Sequence, residues 1–187
     1  MNGPEELLDD GNIALIGPMG VGKSSIARLL GAWLDRQVVD TDELIEQATG
    51  LPVAEVFATR GEPAFRTLEA DAITAVAERR GLVVATGGGV VLQSANVAAL
   101  RGSGHVVLLL ADPAELARRV EPGRRAGRRP LLGDGRDSLA RLSALLEERR
   151  ARYEAAAHVT VEVTGRPVEL VAAEVLRALE DRVAGAR

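Results

Sequence analysis

Gly17-Pro18-Met19-Gly20-Val21-Gly22-Lys23-Ser24 fits the pattern G-x-x-x-x-G-K-[ST], a loop whose glycines let successive backbone N–H groups turn inward on a row of phosphates. The chain holds 23 basic residues, and Lys23 is its one lysine. A compact ammonium on a flexible stem can follow a phosphate that moves, whereas a planar guanidinium would fill a loop this tight. The flanks agree. Asn12-Ile13-Ala14-Leu15-Ile16 is an apolar run suited to a buried strand, and Ile26, Leu29, Leu30 and Trp33 recur at helical spacing after the loop. Strand, loop and helix therefore come in the order that nucleotide binding requires, with Gly20, Val21, Gly22, Lys23, Ser24 and Ser25 as the nucleotide-binding positions.

Working outward, 187 residues suffice for one core and not for two ordinary domains, so residues 1–187 are expected to form a single domain. Few aromatics and an abundance of Leu, Val and Ala suit parallel strands covered by helices. The absence of cysteine excludes disulfides and thiolate metal sites. Residues 1–11 read as a flexible extension; the start is acidic and polar, unlike a signal peptide, and no apolar run approaches membrane-spanning length. A cytoplasmic location and no membrane partner are the expectation.

The net charge of −4 conceals an asymmetry. Residues 1–60 hold ten acids against four bases, and residues 118–152 hold eleven arginines against five acids. A basic block can mark a nucleic-acid face, but overall acidity and the lack of interleaved aromatics argue against that partner. The block reads instead as an anion-handling segment.

Strands are expected at 12–16, 38–40, 82–86, 105–110 and 159–163. The intervening segments are helical, including residues 43–80, with breaks at Gly50-Leu51-Pro52 and Gly61-Glu62-Pro63. Residues 120–136, rich in Gly and Arg and poor in apolar pattern, read as a lid. Five strands with crossover helices imply a three-layer α/β fold, a central parallel sheet with helices on both faces. Asp40-Thr41-Asp42 ends the second strand, at the edge where open α/β sheets bind ligands. Alternate positions there can aim one carboxylate at Mg²⁺ and the other at an acceptor hydroxyl. The simpler alternative is that Asp42 caps the helix that follows.

These motifs, together with Phe65-Arg66 and Glu69, Thr86-Gly87-Gly88-Gly89, Arg129-Pro130-Leu131-Leu132, and Arg149 with Tyr153, follow the order and approximate spacing of the shikimate kinases, which the chain resembles over about residues 12–182. The P-loop is common to many enzymes; the Asp-x-Asp, triple-glycine and Arg-Pro-Leu-Leu set is far more specific. The resemblance implies Mg²⁺-dependent transfer of the γ-phosphate of ATP to the 3-hydroxyl of shikimate, in the route to aromatic amino acids. It also implies a P-loop kinase fold in which residues 43–80 form the substrate-binding region.

Residue by residue, the resemblance makes Lys23, Asp42 and Arg129 catalytic. Ser24 and Asp40 serve the metal, and Asp42, Arg66, Gly87, Gly88, Gly89 and Arg149 bind shikimate. Arg119 stacks on adenine, and Arg129 arrives with the lid on the ATP phosphates. Chemistry supports this assignment, because a planar guanidinium fork suits a carboxylate and only glycine permits close main-chain approach to an anion. Glu69, three residues after Arg66, is expected to hold it, and Phe57 and Phe65 to wall the pocket. His105, His158, Trp33 and Tyr153 read as structural. One departure from the family is that residues 120–128 run a few residues longer than usual, with Pro122, Gly123 and several arginines. A monomer is expected.

Other readings stay open on sequence alone. A gluconate or nucleoside monophosphate kinase shares the P-loop core, and a silent nucleotide-binding module would keep it without chemistry. A GTPase would specify guanine with Asn-Lys-x-Asp, which a chain with one lysine cannot also build.

Overall fold

A computed structural model describes residues 10–125 and 138–185, without the side chains of residues 121–125, 138 and 141. Five strands, β1 (Asn12–Ile16), β2 (Val38–Asp40), β3 (Val83–Ala85), β4 (Gly104–Leu110) and β5 (Val159–Glu162), form one sheet in the order β2-β3-β1-β4-β5. Every pairing is parallel. Strand β1 lies at the centre and is buried along its whole length, which is why it carries no polar alternation.

Alternate residues of the sheet feed two cores. Ile13, Leu15, Val83, Ala85, Val107 and Leu109 face one layer, formed largely by helices α1 (Lys23–Leu34), α5 (Pro113–Arg125) and α7 (Val168–Gly185). Ala14, Ile16, Val84, Val106 and Leu108 face the other, which holds α3 (Val53–Ala77), α4 (Ser94–Ser103) and the later part of α6 (Ser138–Ala156). A third, smaller cluster of Ile45, Val56, Phe65 and Ala72 joins α2 (Thr41–Thr49) to α3. The expected break within α3 is present: Gly61 has φ 76° and ψ 170°, two residues before Pro63, so the helix bends there.

Buried polar groups fix the ends of elements. Asn12, 1 % exposed, donates from Nδ2 to the carbonyls of Val76 and Arg79 and accepts from the Leu82 N–H. One side chain thereby closes α3 and starts β3. At the far edge the His158 Nδ1 accepts from the Val106 N–H at 3.0 Å, continuing the ladder where β5 begins.

One expectation needs correction. Trp33 is 40 % exposed, because the buried stripe of α1 runs through Ile26, Ala27, Leu30, Gly31 and Leu34, and the small residues let the helix lie close to the sheet. Trp33 falls on the flank of that stripe. Of the residues expected to form a lid, the described ones, 120–125, are helical. Val120 is fully buried in the core, and α5 continues through Pro122 and Gly123 to Arg125, carried on by a helix already anchored by Leu116, Ala117 and Val120. Residues 126–137 lie outside the described residues. Among the described residues no helix is long and apolar enough to cross a membrane.

Candidate active site

The segments that follow β1, β2 and β3, together with residues of α3, α5 and α6, enclose a cleft of about 600 Å³. At one end lies the phosphate loop. Gly22 precedes helix α1 as its N-cap, with a φ of 102° that only glycine adopts easily, and no side chain caps the helix, so its positive end opens on the loop. Lys23 is buried, and its Nζ donates to the carbonyls of Gly17 and Pro18, both at 2.8 Å. The ammonium is thereby held over the loop.

Ser24 Oγ donates to Asp40 Oδ2 at 2.7 Å, and the other oxygen of Asp40 accepts from the Asp42 N–H at 3.0 Å. Asp40, not Asp42, is therefore the cap of α2, and Asp42 is left with its carboxylate directed into the cleft. Burial pushes the Asp42 carboxyl up to about 6; Asp40 adds to the rise, Lys23 opposes it, and Glu69 and Glu46 contribute further. Between the two acids, Thr41 is fully buried and its Oγ1 accepts from the Gly87 N–H at 3.1 Å.

The opposite end of the cleft is cationic. Arg66 forms a fork, Nη1 to Glu69 Oε2 and Nη2 to Glu62 Oε1, each at 2.8 Å. Burial works against the charge on Arg66, but Glu69 and Glu62 outweigh it and hold the group firmly ionised. Burial likewise raises the Glu69 carboxyl while Arg66 pulls it down, and its Oε1 has no hydrogen-bond partner among the described residues. Arg149, also buried, donates from Nη1 to the Gly88 carbonyl at 3.2 Å, and its Nε is unpartnered among the described residues. Two guanidinium groups thus border one space, Arg66 held by Glu62 and Glu69, and Arg149 bonded there to the Gly88 carbonyl. Such a space suits an anion.

The three glycines between these ends are each shaped by a different neighbour. A Cβ at Gly87 would lie 3.0 Å from Asp42 Oδ1 and 3.1 Å from Glu69 Oε1, one at Gly88 3.3 Å from the Met19 N, and one at Gly89 2.3 Å from Arg66 Nη1. The rings of Phe57 and Phe65 stand 4.3 Å apart beside Arg66, and both line the cleft while belonging to the small α2–α3 core. Pocket wall and core are here the same residues.

Of the residues singled out in the sequence, Gly20, Gly22, Lys23, Ser24, Ser25, Asp40, Asp42, Arg66, Gly87, Gly88, Gly89, Arg119 and Arg149 all line this cleft. Val21 does not. Its side chain is buried in the core, which leaves its backbone toward the loop. Arg119 Nη1 reaches the Val21 carbonyl at 3.4 Å, and its Nη2 pairs with Glu115, whose other oxygen accepts from the Gly165 N–H. Arg129 lies outside the described residues, as do Arg128 and Arg136 and the side chains of Arg124 and Arg125.

Sequence reasoning missed Thr41, Glu62 and Gln93, whose Nε2 donates to the Arg66 carbonyl at 3.3 Å. Glu62 stands four residues before Arg66, a spacing that could have found it. Gln93 carries no such local signal. Tyr153 was read as a packing residue, yet its hydroxyl donates to the Gly88 carbonyl.

The family model described as shikimate kinase matches residues 19–180. A shikimate kinase from Symbiobacterium thermophilum is 44 % identical over 171 residues, covering 91 % of this chain and 97 % of the relative. One from Geobacter metallireducens is 42 % identical over 171 residues, covering 91 % and 93 %. Among solved structures, shikimate kinase from Acinetobacter baumannii in complex with shikimate superimposes with a TM-score of 0.89 at 32 % identity, over 95 % of this chain and 97 % of that one. A gluconokinase from Sinorhizobium meliloti 1021 superimposes with a TM-score of only 0.57 at 20 % identity, over 95 % of each chain, a likeness of fold alone.

Proposed function

The chain belongs to the shikimate kinase family, and on that premise we propose that it transfers the γ-phosphate of ATP to the 3-hydroxyl of shikimate. It is an ATP-dependent phosphotransferase of the chorismate route. The observation that carries the reading is a cleft with a phosphate loop at one end and two guanidinium groups at the other, the half-buried Arg66 and the buried Arg149, with Asp42 between them. A polyhydroxylated carboxylate needs such an arrangement. Its anion meets the arginines, and one hydroxyl is presented to the nucleotide.

In the roles we assign, Lys23 and the backbone of residues 20–25 hold the β- and γ-phosphates. Asp42 accepts the hydrogen bond of the attacking hydroxyl and takes its proton as the new bond to phosphorus forms. A carboxyl that titrates near 6 is largely ionised at neutral pH yet basic enough for that purpose. Arg66 and Arg149 grip the carboxylate, with the backbone of Gly87, Gly88 and Gly89 between them. Arg119 bears on the adenine side, and Arg129 is assigned to the phosphates within a lid over about residues 120–136. Phosphoryl transfer asks mainly for positioning and charge neutralisation, and each of these residues supplies one or the other.

Ser24 Oγ and Asp40 Oδ2 form a pair of hard oxygen donors at the mouth of the phosphate loop, which fits Mg²⁺. When bound with ATP, the ion would neutralise charge on the β- and γ-phosphates. We take the protein to work as one domain and as a monomer, in the cytosol; its acidic balance and few aromatics argue against a nucleic-acid partner, and no membrane partner is proposed.

Turnover coupled to ADP release, measured with shikimate, gluconate, nucleoside monophosphates and no acceptor, tests the reading. Activity with shikimate alone, yielding a product one phosphoryl group heavier by mass spectrometry, is expected. Faster turnover with gluconate would overturn it.

A further inference from the structure

The Gly88 carbonyl accepts two hydrogen bonds, one from the Tyr153 hydroxyl and one from Arg149 Nη1 at 3.2 Å. Tyr153 and Arg149 stand four residues apart on α6 and so share one face of the helix. They differ in commitment. Tyr153 is 2 % exposed and held in the core cluster that includes Ile16, Val84 and Leu108, with its hydroxyl on the carbonyl. Arg149 lines the cleft and makes a longer bond from Nη1, so the outer nitrogens of its guanidinium have capacity left for another acceptor.

A buried carbonyl abandoned by its donor is costly, so a guanidinium that is its sole donor is held back from any ligand. A second donor removes that restraint. The peptide concerned joins Gly88 to Gly89, two residues with no side chain to stop the plane from rotating. Because that peptide is planar, fixing the Gly88 carbonyl toward Tyr153 also directs the Gly89 N–H the opposite way. Burial pushes the Tyr153 hydroxyl up to about 12, against the pull of Arg149, so it remains a donor at every pH where the enzyme would work.

We infer that Tyr153 is a positioning residue of the acceptor site: its hydroxyl holds the Gly88 carbonyl, which frees Arg149 for the acceptor carboxylate and keeps the Gly88–Gly89 peptide from turning over. This rests on the carboxylate role proposed for Arg149. It assigns to the hydroxyl a function that the ring, as packing, does not have.

Tyr153→Phe keeps the ring and removes only the donor. Calorimetry with shikimate and with a non-hydrolysable ATP analogue, steady-state kinetics and thermal melting are measured on this variant, on Arg149→Ala and on the double variant. The expected result is a shikimate Kd and KM raised about tenfold in Tyr153→Phe, the loss typical of one buried hydrogen bond, with kcat, analogue affinity and melting temperature close to those of the parent. In the Arg149→Ala background the same substitution should cost less than about threefold, because neighbours that act through one another are not additive. Parental shikimate affinity in Tyr153→Phe, an equal loss in both backgrounds, or a loss of analogue binding in step with a lowered melting temperature would each overturn the inference. Should Arg149→Ala bind shikimate normally, the carboxylate role falls and this inference with it; should Arg149→Ala fail while Tyr153→Phe does not, only this inference falls.

Discussion

Ser24 Oγ and Asp40 Oδ2 meet at 2.7 Å, which ties the first turn of the phosphate-loop helix to the end of the second strand. Asp40 serves two purposes at once, because its other oxygen caps α2 through the Asp42 N–H. Asparagine caps nearly as well as aspartate but carries no charge, so the two functions can be separated. Asp40→Asn should melt close to the parent while requiring more Mg²⁺ for half-maximal turnover. Asp40→Ala should show the same metal defect and also lose about 0.5–2 kcal/mol of stability. Thermal melting beside a Mg²⁺ titration of activity distinguishes the two, and an unchanged Mg²⁺ requirement in both variants would exclude Asp40 from the metal site.

Asp42 titrates near 6 in the folded protein against 3.8 ordinarily, and burial is the leading cause. A folded pKa raised in this way means that the native state binds the proton more tightly. The stability it contributes is complete below the ordinary pKa and is lost as pH rises from about 4 through about 6. Asp42→Asn removes that loss, so in the free protein it should be more stable than the parent at pH 8 by about 1–3 kcal/mol, with the advantage vanishing below pH 4. Turnover should move the other way. In the parent, kcat/KM for shikimate should rise through pH 6 with the slope of one ionisation, and Asp42→Asn should be slow throughout. Denaturant melts and a pH–rate profile on the same two proteins test both signs together.

Arg66 has two carboxylate partners of unequal exposure, Glu69 at 1 % and Glu62 at 53 %. An exposed helical pair contributes about 0.3–0.5 kcal/mol, so Glu62→Ala should change shikimate affinity and stability little. Glu69→Ala strips the buried side of the fork and lets the guanidinium swing toward Glu62. Shikimate affinity should then drop about tenfold or more, with binding of an ATP analogue preserved. Arg66→Lys should not restore binding, since an ammonium can serve only one direction of the fork. Equal calorimetric losses for Glu62→Ala and Glu69→Ala would show that burial does not decide which partner matters.

The strands were legible because β1 to β4 are short, mainly apolar runs and β5 alternates apolar with polar residues, and β1 and β2 fall on the very residues their patterns mark. The cleft was legible where a backbone requirement leaves a trace in the sequence: glycines that must approach an anion, an aspartate at a strand end, a lysine amid arginines. The resemblance to a known family then linked Arg66, Arg119 and Arg149, which nothing local distinguishes from surface arginines. What stayed hidden depends on distance across the fold. Gln93 meets the Arg66 carbonyl, and Tyr153 meets the Gly88 carbonyl, through contacts that no spacing along the chain encodes. Trp33 failed for a subtler reason, since the helical period marks a stripe but small residues such as Ala27 and Gly31 can move its centre.

Gly17 and Gly89 would both place a new Cβ 2.3 Å from an existing atom, yet they should fail in different ways. At Gly17 the obstacle is the carbonyl oxygen of Leu109, backbone on the strand beside β1, and φ is 138°, a conformation that side chains disfavour. Neither can give way, so Gly17→Ala should cost about 2–5 kcal/mol and reduce soluble yield before activity can be judged. At Gly89 the obstacle is the end of the Arg66 side chain, and φ is −103°, open to any residue. Gly89→Ala should therefore fold, melt within about 1 kcal/mol of the parent and bind an ATP analogue normally, while the displaced guanidinium lowers shikimate affinity about tenfold or more. Thermal melting and calorimetry separate the two outcomes. A Gly89→Ala protein that binds shikimate as the parent does would mean that Arg66 reaches the carboxylate from a position other than the one it occupies here.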